Sequence, residues 1–196
     1  MTIGIKETLH RFDTFLKTEC TYVYDYYDAP LSDDMILEML GELEISDNNF
    51  FSLYSWKNGI SVEKLDYSVD LSILPWGNLL SLKDALDVEI DNRGNNYWKF
   101  SLKPIFANFE GEHYLVETEE TSEFYGVIYF YSPNLAYAVN PIPYFDNLES
   151  MLSSIMRFFE MKAQWYDIKK ERLVFDFDKL DQIREELNPK VSGSKG

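Results

Sequence analysis

The order in which the hydrophobic pattern changes along the chain is the strongest constraint on its fold. Apolar residues recur at helical spacing in the first ninety or so positions, switch to β-type runs from about residue 97, and return to helical spacing after Asp146. Helices, then a block of strands, then helices is the order of a segregated α+β domain, with a largely antiparallel, mixed sheet and helices packed against it. The chain has 196 residues, of which 45% are hydrophobic and 16% aromatic. That is enough for one full core, and one domain over residues 1–190 is expected, with 191–196 (VSGSKG) as a disordered tail.

Ile5, Leu9, Phe12 and Leu16 predict an amphipathic helix over 3–17, broken by TYVYDYYDAP. Ser32, followed by Asp33 and Asp34, is an N-cap with first-turn acids, and Ile36, Leu40 and Leu43 continue that helix. Ser46 or Asp47 caps a third, which closes at Asn58-Gly59. LSILPWGN reads as a strand stopped by Pro75, Ser81 caps a helix from Leu82 to about Glu89, and DNRGNN reads as a loop. WKFSLKPIFAN, EHYLVET, YGVIYFYS and LAYAV have strand composition. A helix from Asp146 or Asn147 to about Gln164 follows, then an extended RLVF and a helix capped near Asp176 or Asp178 that stops at Asn188-Pro189.

Charge is regional. The formal net charge is −16. No Lys or Arg occurs from Thr18 to Trp56, where Glu19, Asp25, Asp28, Asp33, Asp34, Glu38, Glu42, Glu44 and Asp47 lie. None occurs from Pro104 to Met156 either, where Glu110, Glu112, Glu117, Glu119, Glu120, Glu123, Asp146 and Glu149 lie. Such a surface repels nucleic-acid phosphates and anionic membranes and attracts basic partners. Neither a secretory leader pattern nor an apolar run of spanning length is present, so the expected location is cytoplasmic.

Catalytic and cofactor signals are weak. Cys20 is the one cysteine and His10 and His113 the two histidines, too few for a zinc site of usual spacing, and no Gly-rich phosphate loop occurs. No metal or cofactor is expected. A Cys20–His113 pair brought together in space, a pair of carboxylates, and a cation site at Asp176, Asp178 and Asp181 are the enzyme-type alternatives; helix capping explains the last more simply. Tyr22, Tyr24, Tyr26 and Tyr27, and Tyr125, Tyr129, Tyr131 and Tyr137, are packing residues or, where exposed beside acids, binding anchors.

SLYSWKNGI, LPWGNLLSLKDAL, WKFSLKPIFANFEGEHYLVET and YFDNLESMLSSIMRFF, with the terminal FDFDKLDQIREELNP, resemble in that order the SUKH superfamily. This is the family of yeast cell-wall-synthesis regulators and of many bacterial immunity proteins against polymorphic toxins. The resemblance covers about residues 30–190; the TYVYDYYDAP tract and the long first helix depart from it. It implies an α+β domain without enzyme activity that binds and neutralises a cognate toxin, commonly a nuclease. With the regional charge it makes Glu117, Glu119, Glu120 and Glu123, with Asp25, Tyr26, Tyr27 and Asp28, the expected contacts to a basic toxin domain. The alternative from the same resemblance is a non-catalytic regulatory scaffold. Oligomeric state is not legible at this level.

Overall fold

The structure is a computed structural model that describes residues 4–61, 70–75, 77–108 and 110–193. Four helices come first, α1 Ile5–Glu19, α2 Thr21–Tyr24, α3 Asp33–Glu42 and α4 Asn48–Trp56. They are followed by β1 Asn78–Leu79, α5 Leu82–Asn95, β2 Leu102–Ala107, β3 His113–Glu117, β4 Ile128–Tyr131 and β5 Ile142–Phe145. The chain ends with α6 Leu148–Glu160, β6 Gln164–Asp167, β7 Arg172–Phe175, α7 Phe177–Leu187 and α8 Pro189–Ser192. The strands β1 to β5 form one antiparallel sheet in sequence order, β6 and β7 pair as a separate hairpin, and a parallel bridge joins Ile60 to Leu80. This is the α+β architecture expected from the sequence.

Helix starts follow the side chains that can satisfy free backbone donors. Ser32, Asp47, Ser81, Asn147 and Asp176 each accept a backbone N–H as N-caps. The sheet has two buried faces because neighbouring strand residues point opposite ways. Tyr114, Val116, Ile128, Phe130 and Phe145 join the large core with α1, α3, α4 and α6. Leu102, Leu115, Tyr129 and Tyr131 form a smaller cluster with Trp98 and with Val191 from α8.

Four sequence expectations are corrected. DNRGNN is not a loop: α5 runs through it to Asn95, because buried Asn92 uses its side chain to accept from Trp98 N (3.1 Å), and Asn96 closes the helix in the left-handed conformation at φ 56°. LAYAV is a turn in which Ala138 is buried while Tyr137 and Val139 are exposed, and the strand follows at Ile142–Phe145. In LSILPWGN the strand does not precede Pro75: Leu74 is bridged to Gly77, and β1 begins only at the segment's last residue, Asn78. The tail expected from residue 191 starts inside α8, with Val191 buried and Asp146 accepting from Val191 N (2.9 Å) and Lys190 N (3.2 Å); residues 194–196 lie outside the described ones. Helix α6 also stops at Glu160, and Gln164 opens the hairpin that sequence reading did not resolve.

His113 packs its ring 5.1 Å from Trp98 and 6.2 Å from Tyr131, and its Nδ1 has no hydrogen-bond partner. Burial holds its pKa down to about 4 against the opposing pull of Glu112 and Asp91. Between that value and the unfolded value near 6.5 the unfolded chain binds more protons, so stability is complete above about pH 6.5 and is lost as pH falls toward 4, by up to about 3 kcal/mol. Urea titrations at pH 7 and 4.5 will show this loss in the native protein and a smaller one in His113→Phe; equal losses in the two would refute the assignment.

Candidate partner-binding surface

The surface begins with the end of α3. Leu43 and Ile45 are both buried and draw the chain inward, while Ile45 N donates back to Leu40 O at 2.9 Å. Glu44 between them takes the left-handed conformation, φ 58°, that usually favours glycine. Three residues after Glu44, Asp47 caps α4 by accepting from Asn49 N at 2.9 Å. The turn is therefore pinned from both helices, and Glu44, Ser46 and Asp47 are presented on a rigid base.

Facing it is the β3–β4 loop, which is folded on itself. Thr118 N bonds Ser101 O (2.9 Å), Ser122 N bonds Glu119 O (2.9 Å) and Gly126 N bonds Glu117 O (2.9 Å). At its tip Glu120 accepts from Ser46 Oγ at 2.9 Å, and Ser46 Oγ lies 3.2 Å from the Tyr125 hydroxyl. This contact joins two stretches of chain that each lack Lys and Arg. Between them lies a groove of about 410 Å3, with Leu37, Leu40 and Phe51 as apolar lining and Glu44, Asp47 and Glu120 as acids. Leu37 is 60% exposed, which makes it an apolar contact surrounded by negative charge.

The eight expected contacts divide. Glu119, Glu120 and Glu123 are exposed on this loop, and Glu123 gives its backbone oxygen to Lys190 Nζ at 2.8 Å. Glu117 is fully buried, ion-paired with Lys99, and its Oε1 accepts from Glu119 N at 3.2 Å. It shapes the loop and is not available to a partner, which corrects the sequence expectation. Tyr27 is also buried, with its ring 5.7 Å from that of Trp56, and burial pushes its hydroxyl pKa up, so it too is corrected to a core residue. Asp25 is exposed and Tyr26 and Asp28 are half-buried, but this segment is held elsewhere, with Asp28 N on Gly59 O (2.8 Å) and Asn58 N on Asp28 O (3.2 Å).

Other acids of the two stretches are also structural. Glu112 is buried and accepts from Ser132 Oγ (2.9 Å), and Asp146 caps α8. Sequence reading missed Leu37 and Ser46 as surface groups, and it counted Glu44 and Asp47 among the regional acids and Tyr125 among the tyrosines without assigning them to this groove. Leu37 carried a usable signal, because it falls outside the Ile36, Leu40, Leu43 stripe that α3 buries.

Two of the enzyme-type alternatives, the Cys20–His113 pair and the cation site at Asp176, Asp178 and Asp181, are not assembled. Cys20 belongs to the large core, where burial pushes its thiol pKa up to about 12, whereas His113 packs on the opposite sheet face with Trp98. Asp176 is occupied as the α7 cap, accepting from Lys179 N at 3.3 Å. Among the described residues no group of three or more His, Cys, Asp or Glu side chains is placed to hold a metal ion, and no helix is long and apolar enough to cross a membrane. No protein-family model matches the chain, and no curated protein matches it in sequence.

Proposed function

We propose that this chain is a binding protein that neutralises a basic toxin domain, as in the immunity proteins its sequence resembles, and that it does so through the acidic groove between the α3–α4 turn and the β3–β4 loop. The observation that carries the reading is the Ser46–Glu120 contact, which merges two basic-free stretches into one acid-rimmed, apolar-lined surface. A nuclease site must be cationic to hold phosphate. Glu119, Glu120 and Glu123 would meet it as competing anions, with Leu37 supplying apolar contact.

Co-expression with basic nuclease toxin domains tests this. The native chain will protect cells from one of them, and the E119K/E120K/E123K variant will not, while keeping its thermal midpoint because these three side chains are exposed. Protection that survives the triple reversal but is lost on Asp25→Lys would move the interface to the other acidic segment. Absence of protection across such toxins, with stable capture of a signalling protein instead, would favour the regulatory scaffold.

A further inference from the structure

On the far side of Phe51 from the acidic groove lies a second groove of opposite character. Helix α1 contributes Lys6, Leu9, His10 and Asp13, the spacing of one helical face, and α4 contributes Phe51, Ser55 and Trp56. The space between them is about 500 Å3, within the range of small-molecule sites. Leu9, Phe51 and Trp56 make its apolar wall, and Lys6, His10 and Lys57 supply positive or protonatable groups in a chain of net charge −16.

Among the described residues Asp13 is the one carboxylate in this lining, and it is already engaged. It accepts from Lys17 Nζ at 2.7 Å, from Trp56 Nε1 at 2.9 Å and from the Tyr24 hydroxyl at 3.0 Å. Burial disfavours its charge, but these hydrogen bonds more than offset that and hold its pKa below the usual value. Asp13 therefore fixes the indole ring in place while its charge is balanced locally. Ser55 Oγ, by contrast, is buried without a hydrogen-bond partner. Among the described residues Lys6 and Lys57 have no carboxylate partner, Lys57 Nζ lying 5.0 Å from the centre of the Tyr24 ring. An apolar aromatic wall, a spare hydroxyl and such cations form an incomplete set, and its complement is an anion on a flat apolar body.

The geometry points to the α1–α4 groove as a binding site for a small organic acid with a flat apolar body, such as an aromatic carboxylate or sulfonate. The site is separate from the proposed toxin contact, with Phe51 as the wall the two grooves share. The ring system lies against Trp56 and Phe51, and the acid group meets Lys6 and Lys57.

Anilinonaphthalene sulfonate is a suitable probe because it combines both features. Titrated into the native full chain, it will bind with one-to-one stoichiometry, brighten, shift to the blue and raise the thermal midpoint, with the near-UV circular dichroism retained. The K6E/K57E variant will bind about tenfold more weakly, as will the native chain at high salt, whereas Lys169→Glu on the hairpin will bind as the native protein does. Lys6→Glu alone, at an exposed position, must show part of the same loss, which covers the case in which the double variant is unstable. Equal affinity in native and Lys6→Glu proteins, or dye binding that appears only as near-UV structure is lost, would overturn the assignment.

Discussion

Lys103→Met will lower the unfolding free energy by about 3–5 kcal/mol, the cost of leaving one member of a buried ion pair without its partner. Lys103 is completely buried on β2, with its Nζ 2.8 Å from Glu89 Oε1, 3.7 Å from Glu44 Oε2 and 3.6 Å from the centre of the Phe100 ring. Glu89 on α5 is buried as well, its Oε2 has no partner, and its other cation, Arg93, is 45% exposed at 3.1 Å. Without Lys103 the carboxylate stays in an apolar setting with a half-solvated guanidinium for compensation. K103M/E89L will recover most of the loss, since removing both charges also removes both desolvation costs. Urea denaturation of the two single variants and the double variant closes the cycle. A single-variant cost below about 1 kcal/mol would mean that the pair is solvated and carries little.

Gly59→Ala will cost about 3 kcal/mol or more, from a different cause. Gly59 has φ +72°, and a Cβ there would sit 2.2 Å from the carbonyl oxygen of Leu80, which is backbone and cannot rotate away. The same residue takes Asp28 N onto its carbonyl oxygen (2.8 Å), and Ile60 beside it donates to Leu79 O (2.9 Å). Relief of the clash would therefore pull on the Asp28 loop and on β1 together. Gly94→Ala is the contrasting case: nothing lies within 4 Å of its Cβ position, and it is in α5, so a gain of about 0.5 kcal/mol is expected. Thermal unfolding of both variants distinguishes them, and a destabilised Gly94→Ala would contradict helical structure through DNRGNN.

Much of the helical framework was legible because local signals agreed. Caps at Ser32, Asp47, Ser81, Asn147 and Asp176 precede apolar residues at helical spacing, and each starts a helix where the sequence indicates. The failures occur where tertiary contacts outweigh local preference. Asn92 and Gly94 are poor helix residues, but Asn92 exchanges hydrogen bonds with Trp98 and extends α5. Pro143 argues against a strand at IPYF, yet β5 is the last strand of its sheet, where a missing donor on the outer edge is tolerated. LAYAV has strand composition, but of its five residues only Ala138 is buried.

The candidate surface was half legible. The β3–β4 loop and its exposed glutamates could be placed from sequence, but the alternation rule could not show that Glu117 is inside. Both faces of β3 are buried, so polar character no longer marks the outward side, and Lys99 covers the carboxylate. Nor could sequence show that Ser46 meets Glu120, 74 residues away, which is the contact that defines the groove. Regional charge thus pointed to a basic partner, whereas the packing of the loop on the α3–α4 turn indicates which carboxylates are free to meet one.

The most direct test is the association rate of the chain with the basic toxin domain that the proposed function assigns to it, followed by stopped flow at low and at high salt for the native protein and E119K/E120K/E123K. Electrostatic steering through the groove requires the native rate to fall steeply with salt and the triple variant to associate at least about tenfold more slowly at low salt. Native and variant rates that coincide at low salt would show that this acidic groove does not meet the partner.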